Sequence, residues 1–259
     1  MSSVTTDRRA DISFKGVSKQ YGDRPPVLTG IDLSIAKGEF VSIIGPSGCG
    51  KSTLLKLVSG LTAPTSGNIE VGGMTPVDAR AVVSYIFQDP TLLPWRTVQR
   101  NVGLGLELDG VSNAARDEKV HSMLALVGLS PVAQAYPRQL SGGMKMRVSI
   151  ARALASTPRI LLMDEPFAAL DEMTRDRLNE ELLRLREERQ WTVLFVTHSV
   201  TEAVFLSSRI IVLASHPGRV AHDLTVDMPY PRDAATRASD EFEQRIAAVS
   251  KALRGVHAL

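Results

Sequence analysis

Cysteine is almost absent from this sequence, and so are long apolar runs and an excess of charge of either sign. The one cysteine, Cys49, cannot form a disulfide within the chain and excludes a metal site built from several thiolates. Apolar runs such as Val41 to Ile44 and Ile160 to Met163 are far shorter than the roughly 18 residues that a membrane-spanning helix needs. We therefore expect a globular chain that does not itself cross a bilayer.

The first residues carry Arg8 and Arg9 without an apolar stretch behind them, so we expect no secretory signal and a cytosolic location. Thirty Lys and Arg residues oppose 28 Asp and Glu residues, which gives a formal net charge of +2. A nucleic-acid-binding protein usually carries a clustered basic stripe. The basic residues between Arg138 and Arg152 are spread around a helix by its periodicity, which is typical of a solvated face. We therefore expect no nucleic acid partner.

The order of apolar patterns along the chain predicts an α/β fold. Alternating residues at Ile12 to Val17 and at Ile31 to Ile35 favour half-buried strands of an antiparallel sheet. Phe40 to Ile44 is almost continuously apolar, as in a strand covered on both faces, and it leads through a glycine-rich turn into a helix that ends near Gly60. Further strands are predicted at Asn68 to Val71, Val82 to Phe87, Ile160 to Met163, Thr192 to Val196 and Arg209 to Leu213.

The region between about residues 97 and 157 has a helical pattern, with helices predicted at Arg116 to Val127 and Met144 to Leu154. No strand is predicted among them. We interpret about residues 90–158 as a helical subdomain inserted into an α/β domain that covers residues 11–240.

The C-terminal part begins with a charged amphipathic helix, predicted at Thr174 to Arg189. After Pro217-Gly218 the chain becomes polar and contains several prolines. A last helix is predicted from Asp240 to Leu253, and we place residues 241–259 after the domain as a C-terminal helix.

The strongest chemical signal is Gly45-Pro-Ser-Gly-Cys-Gly-Lys-Ser52, which fits the pattern G-x-x-x-x-G-K-[ST]. Glycines let backbone N–H groups curl around phosphates, and the helix that follows directs its positive N-terminus at them. Lys51 is expected to reach the β- and γ-phosphates of ATP, and Ser52 to bind Mg²⁺. The alternative is a glycine-rich turn without a ligand. The predicted nucleotide-binding residues here are Gly45, Pro46, Ser47, Gly48, Cys49, Gly50, Lys51, Ser52 and Thr53.

A second chemical signal is the pair of carboxylates that ends the apolar segment Ile160 to Met163. Asp164 is expected to anchor Mg²⁺ through its water shell. Glu165 is expected to orient and deprotonate the attacking water, because phosphoryl transfer depends mainly on positioning and charge stabilisation. The alternative is a pair of solvated acids at the start of a loop.

The segment Leu140-Ser-Gly-Gly-Met144 distinguishes among P-loop NTPases. At this point the sequence resembles the ATP-binding cassette (ABC) family, whose signature motif is L-S-G-G-Q, and the resemblance covers nearly the whole chain. It implies a P-loop NTPase core of the ABC ATPase type with an N-terminal antiparallel β-subdomain and an inserted helical subdomain. Met144 stands where the family has glutamine, which leaves open whether this side chain makes a polar contact to nucleotide.

The resemblance also implies roles for single residues. Tyr21 would stack on adenine, Gln88 would contact Mg²⁺ and water, and His198 would sense the γ-phosphate. Each has a structural alternative, as a packing aromatic, a loop residue and a structural histidine. Ala169-Leu170-Asp171 resembles the family's D-loop. The implied catalytic set is therefore Lys51, Gln88, Glu165 and His198, and the implied metal set is Ser52, Gln88 and Asp164.

The signature itself has the features of an anion site. Ser141 is a good N-cap, and Gly142 and Gly143 let an anion approach the N-terminus of the helix that follows. In the family two chains form a head-to-tail dimer, and each signature completes the other chain's ATP site. The alternative is a capped helix after a flexible turn.

A narrower resemblance, to the ATPases of nitrate, sulfonate and taurine importers, is carried by four segments besides the signature. It implies two copies of this chain on the cytoplasmic face of a bacterial inner membrane, bound to two permease subunits, with an extracytoplasmic protein that delivers a small solute. Soluble cassette proteins of translation or DNA repair have two cassettes or a long coiled coil, and neither is present. The segments are Phe87 to Val98, Met163 to Arg175, His216 to Arg219 and Tyr230 to Arg232.

Two further expectations concern single segments. Leu92 to Arg96 either packs in the core of the helical subdomain or lines a groove that accepts a permease helix. Cys49 occupies a free position of the phosphate loop. We therefore expect an alkylating reagent on Cys49 to block ATP binding, and ATP to protect against the reagent.

Overall fold

The computed structural model describes residues 10–257, and these form two β-sheets with nine α-helices around them. The smaller sheet is antiparallel and has the strand order β2-β1-β4. Its strands are β1 (Ala10–Lys19), β2 (Leu28–Ala36) and β4 (Ser66–Val71). The antiparallel sheet predicted near the N-terminus is thus present.

The larger sheet has six strands in the order β5-β6-β7-β3-β8-β9. The first five run parallel to one another, and β9 pairs antiparallel with β8 at the edge. Carboxyl ends of parallel strands meet at one edge of a sheet, so the loops that follow β3, β5, β6 and β7 lie together there. The strands are β3 (Phe40–Ile44), β5 (Val83–Ile86), β6 (Ile160–Asp164), β7 (Thr192–Val196), β8 (Arg209–Ala214) and β9 (Arg219–Thr225).

Apolar side chains cover the larger sheet on both faces. The buried strand β3 sends Phe40 and Ile44 into one apolar cluster, and Val41 and Ile43 into the other. This division follows from the alternation of side chains along a strand. It explains why the sequence of β3 is almost continuously apolar.

The helices also follow the apolar pattern. One 3₁₀ turn, Asp78–Val82, precedes β5. The helices are α1 (Lys51–Val58), α2 (Val98–Val102), α3 (Leu104–Leu108), α4 (Asn113–Leu126), α5 (Gly142–Ala155), α6 (Glu172–Arg189), α7 (Val200–Leu206), α8 (Ala234–Arg237) and α9 (Asp240–His257). No helix within residues 10–257 has the length and apolar content that crossing a bilayer demands.

The structure adds elements that the sequence pattern did not predict. These are β9 and four short helices, α2, α3, α7 and α8. The polar segment after Pro217-Gly218 contains β9, a strand whose residues are mostly half-buried or exposed. The last helix starts at the predicted Asp240 and packs on α7 and β8, with Phe242, Val249 and Val256 buried in one of the two apolar clusters.

Candidate functional site

The loop between β3 and α1 is built so that only glycine fits at two of its positions. Gly45 has φ 155°, and a Cβ there would lie 2.6 Å from the carbonyl oxygen of Leu213. Gly50 has φ 99°, and its Cβ would lie 2.5 Å from a methyl group of Leu28. The loop backbone is therefore pressed against β8 and the start of β2. This leaves it curled in front of the N-terminus of α1, as phosphate binding requires.

Lys51 places a cation inside this loop. The residue is only 5% exposed, and its ammonium group donates hydrogen bonds to the carbonyl oxygens of Gly45 and Pro46, both at 2.9 Å. A buried ammonium group is costly unless polar groups or an anion surround it. The arrangement holds a positive charge next to the backbone amides of the loop.

Asp164 lies at the end of β6, directly opposite the start of α1. Its Oδ1 accepts a hydrogen bond from Ser52 Oγ at 3.0 Å, and its Oδ2 accepts one from Tyr85 Oη at 3.3 Å. Burial raises the pKa of Asp164, and the bonds from Ser52 and Tyr85 counteract part of that effect. The same burial, with the nearby Asp164 charge, raises the pKa of Tyr85, which stays a neutral donor.

Ser52 Oγ and Asp164 Oδ1, which are hydrogen-bonded to each other, are oxygen ligands of the kind that Mg²⁺ prefers. This ion takes one or two protein oxygens and completes its shell with water and substrate phosphates. Within residues 10–257 no group of three His, Cys, Asp or Glu residues is placed to hold a metal ion. The hydroxyl of Ser52 and the carboxylate of Asp164 are suited to a magnesium ion that arrives with phosphates.

Glu165 contacts two of the three other predicted catalytic residues. Its Oε1 lies 2.6 Å from His198 Nε2, and its Oε2 accepts a hydrogen bond from Gln88 Nε2 at 3.3 Å. Its backbone has φ 49°, a left-handed conformation that non-glycine residues rarely adopt. The backbone N–H of Glu165 donates to the carbonyl oxygen of Val196 at 2.9 Å, which ties the turn to the end of β7.

These residues surround one cavity of about 310 Å³. It is formed where β3, β5, β6 and β7 end, so the sheet order brings together residues from Ser47 to His198. The predicted catalytic residues all line it. The lining residues are Val27, Ser47, Gly48, Gly50, Lys51, Ser52, Thr53, Gln88, Glu165 and His198.

The signature segment lies outside this cavity, on the surface at the N-terminus of α5. Ser141 caps that helix by accepting a hydrogen bond from the backbone N–H of Met144 at 3.3 Å. Ser141 and Gly142 are exposed, and a Cβ at Gly143 would lie 3.0 Å from the carbonyl oxygen of Ala169. None of Ser141, Gly142 and Gly143 lines the cavity at Lys51. The Met144 side chain packs against an apolar cluster.

Tyr21 and Cys49, two further predicted binding residues, also do not line the cavity. Tyr21 is 40% exposed, its ring contacts the ammonium group of Lys19, and it does not line the cavity. Cys49 is 1% exposed, its side chain belongs to an apolar cluster, and it does not line the cavity. Burial raises the pKa of the Cys49 thiol. The expectation that a reagent reaches this thiol in the folded protein is therefore corrected.

The structure adds site residues that the motifs do not contain. Tyr85 binds Asp164, and its ring stacks on Phe87 with 4.0 Å between centroids. Val27 is an apolar wall of the cavity. The signal for Tyr85 was an aromatic residue in a predicted strand that leads to Gln88. No local pattern marked Val27.

Three comparisons bear on this site. The protein family described as ABC transporter matches residues 28–168 of this chain. The nitrate import ATP-binding protein of Synechocystis sp. is 48% identical over 202 residues, which are 78% of this chain and 76% of that protein. The aliphatic sulfonates import ATP-binding protein of Xanthomonas axonopodis pv. citri is 47% identical over 216 residues, 83% of this chain and 85% of that protein.

A solved structure resembles the fold as well. It is the dimeric structure of an ATP-binding cassette in a post-hydrolysis state, bound to ADP and phosphate. The TM-score is 0.78 at 35% sequence identity, and the match covers 84% of this chain and 100% of that one.

Proposed function

Because this chain belongs to the ABC transporter family and is an ATPase of that family, we propose that it drives solute import by hydrolysing Mg-ATP in a site shared by two copies. The observation that carries the proposal is the meeting of Lys51, Glu165 and His198 at one cavity, with Asp164 hydrogen-bonded to Ser52 of its lining. The signature, at Ser141, lies outside that cavity and faces solvent.

The roles in hydrolysis follow from the contacts. Lys51 and the loop amides bind the β- and γ-phosphates; Ser52 and Asp164 would hold Mg²⁺, which would supply neutralisation of phosphate charge. Glu165 orients the attacking water and takes its proton, and Gln88 and His198 fix the Glu165 carboxylate from two sides. His198 is half exposed and can turn towards the γ-phosphate. Tyr21 remains our candidate for the adenine contact.

A second copy enters the proposal because the signature lies outside the cavity at Lys51. The N-terminus of α5 carries the backbone N–H groups of Gly142, which is exposed with open space around it, and of Gly143, which is partly exposed. A head-to-tail partner would bring its own bound ATP to this helix end. ATP would then stabilise the dimer, and hydrolysis would release it.

The permease partner is expected at a groove in the helical region. The groove has a volume of about 630 Å³ and is lined by Trp95, Arg96, Arg100 and Glu107 among others. Trp95 is 71% exposed, whereas Leu92 packs against the core. Asn101 is fully buried and binds the carbonyl oxygens of three residues of the 93–97 turn, so Trp95 is presented by a rigid support.

Charge defines the segment that would bind this groove. Arg96 is paired with Glu107, whereas Arg100 lines the groove as a further cation. A helix from a membrane subunit with one large apolar side chain for Trp95 and a carboxylate for Arg100 would fit. The relatives import nitrate and sulfonates, so we propose a small solute of that class, delivered by an extracytoplasmic binding protein.

The test separates membrane docking from ATP chemistry. Trp95→Ala should release the chain from the membrane fraction of cells that express the permease subunits, because the exposed indole is the largest apolar side chain that the groove offers to a partner. ATP hydrolysis by the purified variant should stay within about twofold of the wild type, as expected for a surface change far from Lys51.

Leu108→Ala is the matched control, because Leu108 is 79% exposed on the same subdomain and does not line the groove. It should leave membrane binding unchanged. Full membrane binding by Trp95→Ala would contradict docking at this groove.

A further inference from the structure

Glu202 is a buried carboxylate next to the catalytic cavity. It lies on α7, is 6% exposed, and accepts a hydrogen bond from the hydroxyl of Thr197. Thr197 in turn accepts a bond from the backbone N–H of Ser199 at 3.0 Å, and Ser199 Oγ accepts one from the N–H of Glu202 at 3.2 Å. Thr197 and Ser199, the residues on either side of His198 in the chain, are therefore both hydrogen-bonded to Glu202.

Glu202 is also linked to the D-loop. Arg175 Nε lies 3.5 Å from Glu202 Oε1, an ion-pair distance, and Arg175 Nη2 donates a hydrogen bond to the carbonyl oxygen of Leu170 at 2.9 Å. The neighbouring Ala169 carbonyl packs on Gly143 of the signature. A continuous set of contacts thus joins Thr197, Glu202, Arg175 and Leu170.

A second cavity shows that these side chains face the catalytic pair. It has a volume of about 280 Å³, and its lining includes Glu165 and His198 together with Arg175, Thr197 and Glu202. Burying a charged pair is weak evidence for stability, because apolar residues of the same size often stabilise a protein as well or better. A carboxylate here is better explained by the geometry that it imposes.

We propose that Glu202 is a positioning residue for ATP hydrolysis. Through Thr197 it fixes His198 against Glu165, and through Arg175 it couples this arrangement to the D-loop that packs on the signature. The inference rests on the proposed role of His198. Burial raises the pKa of Glu202, and the Thr197 bond and the Arg175 charge counteract that rise.

The test is a double-mutant cycle that asks whether Glu202 acts through His198. Glu202→Ala should lower kcat about tenfold and leave the KM for ATP within about twofold, because ground-state binding at the phosphate loop is untouched. In a His198→Ala background, the same substitution should lower kcat by less than about twofold. Single-turnover hydrolysis of radiolabelled ATP measures these slow rates.

Glu202→Gln keeps an acceptor for Thr197 and should recover most of kcat. Thr197→Val removes the same hydroxyl from the other side, and it serves if Glu202→Ala does not fold. Ser207→Ala is the control for helix stability, because buried Ser207 lies at the far end of α7 and bonds the Ala203 carbonyl. It should keep kcat.

Equal losses of kcat in the two backgrounds would overturn the positioning role, as would an equal loss of kcat in Ser207→Ala. A wild-type protein without ATPase activity would instead overturn the function on which the role rests. The two failures are therefore distinguishable.

Discussion

Glu165 is the residue on which hydrolysis depends most directly. Its left-handed backbone conformation is a strained one for a side-chain-bearing residue, and such strain is often found at functional sites. The strain places the carboxylate between Gln88 and His198 at the edge of the cavity. A carboxylate positioned in this way at the cavity is suited to accept a proton from water.

Glu165→Gln should slow ATP hydrolysis at least ~10²-fold, the usual scale for a lost general base. ATP binding should be retained, because Lys51 and Ser52 are unchanged, and an ATP-bound dimer should accumulate on gel filtration. Glu172→Gln, an exposed residue at the start of α6, is the control and should hydrolyse ATP normally. Near-normal turnover by Glu165→Gln would refute its role as base.

Cys49 should resist alkylation in the folded protein. Its thiol is buried beneath the phosphate loop, and burial raises its pKa, so the reactive thiolate is scarce at neutral pH. Iodoacetamide should modify it at least ~10²-fold more slowly than it modifies a short cysteine peptide. Mass spectrometry after timed quenching measures the rate. Fast labelling that urea does not accelerate would contradict this burial.

Residues within one motif were predictable, and residues joined only by the fold were not. Gly45, Lys51 and Ser52 have a fixed spacing that phosphate binding demands, so their sequence carries the chemistry. Tyr85 reaches Asp164, and Arg175 reaches Glu202, through the tertiary structure, and no spacing in the sequence indicates these contacts. The motif also does not tell which of its side chains are exposed, since the same loop contains buried Cys49 and accessible Ser47.

At the scale of elements, α7 depends on a distant arginine for its C-terminal end. Arg232 is 3% exposed and donates hydrogen bonds to the carbonyl oxygens of Val204, Phe205 and Ser207, all near the end of α7. The last carbonyls of a helix have no partner inside the helix. Arg232 supplies that partner and holds α7, with Glu202 on it, against the segment that leads to α9.

Arg232→Met should lower the free energy of unfolding by about 3 kcal/mol, because it leaves several buried carbonyl groups without a donor. Urea unfolding followed by circular dichroism measures the change. Arg184→Met is the matched control, because Arg184 is an exposed arginine that pairs with Glu181 and Glu188 on the surface of α6. It should cost less than about 1 kcal/mol. Equal losses in both variants would contradict the structural role of Arg232.

Elements with a strong apolar period were predictable and short or edge elements were not. The strands predicted at Phe40 to Ile44 and Thr192 to Val196 have those bounds in the structure, because their burial on both faces makes them continuously apolar. The edge strand β9 is half exposed and pairs on one side only, so its sequence is polar. The seven-residue α7 is too short to show a helical period.

At the scale of the whole molecule, the fold places the two predicted phosphate-binding segments, the loop at Lys51 and the signature at Ser141, in different parts of the chain. The ends of β3, β6 and β7 bring Lys51, Glu165 and His198 to one cavity. The signature lies at the start of α5 in the helical region. We propose that this helix end reaches the cavity of a second copy. A pocket shared in this way makes activity a property of the pair.

Complementation between two damaged chains tests the shared pocket. Ser141→Arg spoils the exposed signature and keeps Lys51, whereas Lys51→Ala spoils the phosphate loop and keeps the signature. Each variant alone should be inactive, but an equal mixture should recover up to about a quarter of wild-type ATPase activity, because half of its dimers would contain one intact composite site. Mixing Ser141→Arg with a chain that carries both substitutions creates no intact site and should restore nothing. Activity of Ser141→Arg alone, or no gain on mixing it with Lys51→Ala, would show that each chain works on its own ATP.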